Sequence, residues 1–112
     1  MEFVLYRVSQ PGTSRRRRSL REVAMVTDDH GVLAWLFQTV HDRPGVPMLK
    51  RVDPYRDLEF TSAEMEQLIA ELDQVAPSAD EFKGGLETVR AVRALAQRCL
   101  EDPELVVRFV GD

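Results

Sequence analysis

Residues 60–75, Phe60-Thr61-Ser62-Ala63-Glu64-Met65-Glu66-Gln67-Leu68-Ile69-Ala70-Glu71-Leu72-Asp73-Gln74-Val75, contain both the start signal and the period of a helix. Thr61 and Glu64 stand three apart, as a capping box requires, and Phe60 and Met65 occupy the positions of a hydrophobic staple. Met65, Leu68, Ile69, Leu72 and Val75 recur at three- and four-residue intervals. An amphipathic helix is therefore predicted, ending before Pro77. A second capping box, Ser78-Ala79-Asp80-Glu81, opens another helical pattern through Phe82, Leu86, Val89, Val92, Ala96, Cys99 and Leu100. Pro103 stops it, and Gly84-Gly85 separates its first turn from a body beginning near Leu86.

Outward from these helices the pattern changes. Leu105-Val106-Val107-Arg108-Phe109-Val110 is apolar on both faces and predicts a C-terminal strand with neighbours on either side. At the other end, Phe3 to Val8 reads as a strand closed by Pro11-Gly12. Glu22 to Thr27 is a second strand, with Val23 and Met25 on one face and Ala24 and Val26 on the other, which predicts a central position. Asp28 to Gly31 reads as a turn. The run Val32 to Val40 lacks a usable period, and its aromatics, short length and flanking turn favour a third strand in a hairpin. Pro44, Gly45, Pro47 and Pro54 make 41–54 an irregular connection, with at most a short strand at Met48 to Val52. The expected fold class is α+β. The layout is a two-layer α/β sandwich of three N-terminal strands, two helices on one face, and a C-terminal strand in the sheet.

The 112 residues fit one domain, 1–112, and a composition of 44% hydrophobic and 30% charged residues is that of a globular protein. Residues 1–56 hold ten Lys and Arg against six Asp and Glu, a net +4; residues 57–112 hold five against thirteen, a net −8. Opposite signs of this kind orient encounters with charged partners or with other copies. One cysteine, Cys99, excludes an internal disulfide and a Cys-rich zinc site. With neither a leader pattern nor a long apolar run, a cytoplasmic location without membrane contact is expected.

The segment Asp53-Pro54-Tyr55-Arg56-Asp57, followed by Phe60, Met65, Leu68, Glu71 and Leu72, together with the terminal Phe109-Val110-Gly111-Asp112, resembles a group of small uncharacterised bacterial proteins. They share an Asp-Pro-Tyr loop before a helix and a Val-Gly-Asp end. The resemblance covers the latter half of the chain and implies a domain type without an activity.

Several clusters bear on chemistry. Arg15, Arg16, Arg17 and Arg18 could each neutralise a phosphate, but no stacking platform or recognition helix adjoins them, so a solvated or protein-contacting loop is the favoured reading over nucleic acid. Asp28, Asp29, His30, His41 and Asp42 contain metal-ligand atoms in an unpersuasive spacing. Asp53, Tyr55, Arg56 and Asp57 gather two carboxylates, a phenol and a guanidinium on one proline-bounded loop, where a ligand or partner contact competes with a turn role. Cys99, on an apolar stripe, reads as an unreactive buried thiol. A Gly-rich phosphate loop, a nucleophile elbow and a His-Glu-x-x-His motif are all missing, so neither catalytic residues nor a metal or cofactor is expected. These readings favour a non-catalytic protein-interaction module, such as an immunity-like or regulatory partner protein, acting on a protein partner and forming a homodimer through the strand-rich half or the terminal strand. The alternatives are a small hydrolase whose carboxylates and histidine meet in space, and nucleic-acid binding through the arginine loop.

Overall fold

The computed structural model describes residues 1–9, 18–28 and 31–111. Strands β1 (Glu2–Ser9), β2 (Ser19–Thr27), β3 (Leu58–Thr61) and β4 (Leu105–Val110) form one sheet in the order β2-β1-β4-β3. Every neighbouring pair is antiparallel. Helices α1 (Val32–Val40), α2 (Met65–Ala79) and α3 (Gly85–Leu100) complete an α+β domain. Alternation along the strands sends Phe3 and Leu5 of β1, Phe60 of β3, and Leu105, Val107 and Phe109 of β4 into the core. There they meet Leu36 and Phe37 of α1, Leu68 and Leu72 of α2, and Val92 and Ala96 of α3, so the three helices pack on one face. The Phe109 ring is the hub, with ring centroids 4.7 Å from Phe3, 5.3 Å from Phe37 and 6.2 Å from Phe60.

The layout departs from the expected three N-terminal strands and two helices at several points. Val32–Val40 is a helix rather than a strand. Its buried residues, Val32, Leu33, Leu36, Phe37 and Val40, fall on one helical face. The Asp28 carboxylate accepts from the N–H groups of Leu33 and Ala34 at 3.0 and 3.3 Å, supplying partners for donors that a helix start leaves unpaired. The remaining strand of the sheet is instead β3, beside β4 at the edge opposite β2, whose four residues alternate Leu58 and Phe60 inward with Glu59 and Thr61 outward.

Strand β2 lies at an edge, not in the centre. A bulge between Leu5 and Tyr6 of β1 leaves Val23 unopposed and breaks the expected pairing of faces, so that Val23 packs toward the core while Met25 is exposed. The short strand expected at Met48 to Val52 is a 3-10 turn at Leu49–Arg51, and its leading N–H groups are taken up by a buried carboxylate: Glu71 accepts from Met48 and Leu49, each at 3.0 Å. β4 does have a neighbour on each side, as its sequence implied.

The capping box of Thr61 and Glu64 forms, with the Thr61 N–H donating to Glu64 Oε1 at 2.9 Å, and opens a 3-10 turn that runs into α2. α2 continues through Pro77 instead of ending before it. The proline removes one N–H in the last turn, while burial of Val75 and Ala79 and donation from Arg43 Nη2 to the Gln74 carbonyl at 2.9 Å hold that turn together. The second capping box is not used as one. Ser78 belongs to α2, where its hydroxyl accepts from Arg43 Nη1, and α3 begins only at Gly85. A side chain at Gly85 would sit 2.0 Å from the Ala79 carbonyl oxygen, so glycine is what lets the two helices turn so closely.

Candidate binding groove

Once Val32–Val40 is helical, its outward residues Ala34, Gln38 and the following His41 face the connection 50–55. Together they border an open groove of about 800 Å³ lined by Phe37, Asp42, Lys50, Arg51, Val52, Asp53, Pro54 and Tyr55 as well. Phe37 and Val52 give it an apolar floor that is continuous with the core. Such a volume lies within the range of ligand and peptide clefts.

The loop on its rim is held in shape by its own side chains. Asp53 Oδ1 accepts from the Tyr55 N–H at 2.8 Å, and the Arg56 N–H donates to the Asp53 carbonyl at 3.1 Å, which is the Asx-type turn expected of Asp before Pro. Asp57 Oδ1 accepts from the Gly111 N–H at 3.0 Å. The turn projects Tyr55 outward with 78% of its surface exposed, beside an equally exposed Arg56. The Asp53–Asp57 loop and Gly111 thus touch each other.

The eight residues expected to form a site divide into two groups. Asp53 and Tyr55 line the groove, Arg56 adjoins it, and Asp57 fastens its loop. Arg15, Arg16 and Arg17 lie outside the described residues. Arg18 forms an ion pair with Glu59, which also accepts from Arg108 Nε at 2.9 Å on the sheet face away from the helices. The Arg108 guanidinium lies 5.7 Å from the centre of the Tyr6 ring on the same face. Burial pushes the Glu59 carboxyl up, but hydrogen bonds and charge from Arg18 and Arg108 outweigh it and hold the group below the usual glutamate range.

Metal-type residues are divided as well. Asp28 caps the start of α1 whereas His41 and Asp42 follow its end, roughly 13 Å of helix away; Asp29 and His30 lie outside the described residues. Among the described residues no three His, Cys, Asp or Glu side chains are grouped to hold a metal ion. His41, Asp42 and Asp53 do share the groove, yet the His41 ring is hydrogen-bonded to neither carboxylate. Cys99 is fully buried with its thiol donating to the Leu105 carbonyl at 3.4 Å, and burial, with a smaller contribution from the charge of Asp102, pushes its pKa up to about 11.

Lys50, Ala34, Phe37 and Gln38 were not legible as groove residues, because their convergence depends on α1 being a helix. No protein-family model matches the chain, and neither a curated protein nor a solved structure is significantly similar to it. Among the described residues no helix is long and apolar enough to cross a membrane.

Proposed function

We propose that this domain is a non-catalytic protein-interaction module that engages its partner through the groove between α1 and the Asp53–Asp57 loop. The observation that carries this reading is Tyr55, a large aromatic held out into solvent on a turn fixed by Asp53, with Arg56 beside it and an apolar floor beneath. Tyrosine and arginine dominate the energetics of protein contacts, and a loop ordered in advance loses little entropy on binding. The test is quantitative capture from the native host with wild-type protein and with Tyr55→Ala. A stoichiometric partner retained by the wild type and lost with the variant supports the reading, whereas partners unaffected by Tyr55→Ala refute it.

The same groove supports a second reading, a small hydrolase, because His41, Asp42 and Asp53 line one concavity. A histidine base is ordinarily oriented by a hydrogen-bonded carboxylate, and among the described residues His41 has none, which is why the interaction reading is preferred. Turnover of any ester or phosphate substrate that His41→Ala abolishes would reverse this preference.

Self-association as a homodimer is part of the same proposal, with its contact placed in the strand-rich N-terminal half rather than on the terminal strand. β4 is flanked on both sides, and on the sheet face away from the helices Val4 and Val106 are already buried within one chain, 1% and 6% exposed. Of the two edge strands, β2 and β3, β2 is the longer, nine residues without proline, and offers the larger surface to a second copy. Light scattering at two concentrations checks it: a mass near 12.8 kDa at both excludes the dimer.

A further inference from the structure

We infer that a second copy of this chain joins the open edge of β2 through its own β2, antiparallel about a two-fold axis at Met25, so that Arg21 of each copy meets Asp28 of the other. This rests on the homodimer reading above and fixes the contact residue by residue.

The backbone determines which groups this edge offers. Val8 donates its N–H to the Glu104 carbonyl at 2.9 Å, and Asp28 donates to the Met1 carbonyl at 3.3 Å, so along β1 the even-numbered residues bond toward β4 and the odd-numbered ones toward β2. Carried across the register, with Val23 and Ala24 sharing one position at the bulge, this leaves the N–H and C=O groups of Leu20, Glu22, Met25 and Thr27 facing the open edge. Two side chains of the strand are unsatisfied as well. Arg21 is exposed, lies across from the like-charged Arg7, and has no hydrogen bond or ion pair among the described residues. Arg7 itself is taken by Asp102 and Glu104. Met25 is 45% exposed beside the buried Val4.

The sequence of the strand then selects the register. A centre at Arg21 or Glu22 sets like charges face to face, which destabilises a ladder, and a centre at the bulge sets two kinks against each other. A centre at Leu20 pairs Glu22 with Arg18, which Glu59 already holds, and leaves Met25 uncovered. One beyond Met25 carries the pairing past the end of β2 at Thr27. At Met25 itself the two methionines cover each other, Glu22 lies opposite Thr27, and Arg21 lies opposite Asp28. Both members of that last pair project to the helix side of the sheet, Arg21 on the face it shares with Arg7 and Asp28 toward the start of α1. The N–H groups of α1 leave the Asp28 charge in place, and symmetry repeats its contact with Arg21 twice. This complementarity selects a copy of the chain as the occupant, because the cation and the carboxylate that match stand on one segment.

The experiment uses the whole chain. Light scattering at two concentrations is expected to give a mass near twice 12.8 kDa at the higher one. Arg21→Glu turns the pair with Asp28 repulsive, and Met25→Lys sets two ammonium groups opposite each other. Each is expected to raise the dimer dissociation constant about tenfold, and Glu22→Gln to change it by less than about twofold. All three positions are exposed, and circular dichroism verifies that each variant is folded. Met25→Cys treated with a short bismaleimide is expected to yield a covalent dimer, since residues directly opposite in such a pair have Cα atoms about 5.5 Å apart. The wild type, whose one thiol at Cys99 is buried, is expected to yield none. A dimer indifferent to Arg21→Glu, or one that Met25→Cys does not capture, overturns this inference while the homodimer reading stands. A monomer at both concentrations overturns the two together.

Discussion

The Gly111 N–H donates to the Asp57 carboxylate at 3.0 Å, and this bond fastens the end of the chain to the loop that presents Tyr55. The approach is closer than any other residue would allow. A side chain at position 111 would place its first carbon 2.4 Å from the Arg56 nitrogen and 2.7 Å from the Tyr55 carbonyl carbon. Both obstructing atoms are backbone, so the contact can be relieved only by moving the loop or detaching the terminus. Gly111→Ala is expected to lower stability by about 1–3 kcal/mol, as overpacking of a close contact does. Urea unfolding of the two proteins measures this directly, and identical midpoints would show that the terminus is not clamped. The altered loop should also reduce Tyr55-dependent binding.

A second prediction concerns the other side of the groove. Glu71 is 2% exposed and accepts from the backbone of Met48 and Leu49 and from Gln67 Nε2 at 2.9 Å. It replaces the water that the leading N–H groups of the 3-10 turn would otherwise need. Glu71→Ala leaves two buried donors without partners, at a cost of about 1–3 kcal/mol for a group left unpaired. Loss of that order in thermal or urea unfolding is expected, with Glu71→Gln milder because its carbonyl oxygen can still accept. A neutral Glu71→Ala would mean that the turn finds another partner, and the structural role assigned to Glu71 would be withdrawn.

How far these features were legible depends on what each local pattern had to record. The start of α2 was, because Thr61, Glu64 and the staple residues act within one turn of chain. Val32–Val40 was not. Its helical face is continued by Trp35, which is apolar for a different reason: its ring stacks on Phe82 at 5.4 Å, outside the stripe that faces the sheet. Two packing directions on one short helix erase the period. Strand β3 was overlooked although Leu58-Glu59-Phe60-Thr61 alternates, since four residues carry little signal beside a strong helix start. At the groove, Asp53, Tyr55, Arg56 and Asp57 could be picked out by residue type on a proline-bounded loop, whereas Lys50 and Phe37 join them only through tertiary packing. The link between Asp57 and Gly111 spans half the chain, and no local rule reports it.

Cys99 gives a prediction in which the chemistry of a thiol reads out burial. Its pKa of about 11 leaves little thiolate at pH 8, and the side chain is enclosed between α3 and β4. A disulfide reagent such as dithionitrobenzoate should therefore leave the folded protein unmodified at pH 8 and react with one equivalent in urea. Rapid reaction of the native protein would show that α3 opens from the sheet.

Glu59 makes stability depend on pH in a definite direction. Its carboxyl is 23% exposed and stands between the guanidinium groups of Arg18 and Arg108, on the sheet face away from the helices. Burial raises its pKa, but the two arginines, through hydrogen bonds and charge, outweigh burial and hold the folded-state value below the ordinary 4.5. A carboxyl whose pKa is lower folded than unfolded binds fewer protons in the folded state, so stability rises with pH across that interval. The contribution is complete above the unfolded value and disappears as pH falls through the folded one. It also fastens Arg18, the last residue of the arginine run, to β3, so acid should release the start of β2 from the far edge of the sheet. Wild type and Glu59→Gln are to be compared by urea unfolding between pH 7 and pH 3. The wild type should lose more stability across that range than the variant, with the difference between them shrinking as pH falls below about 4.5. Parallel curves would show that Arg18 and Arg108 do not favour the charged carboxylate, and the assigned ion-pair cluster would then have no energetic role.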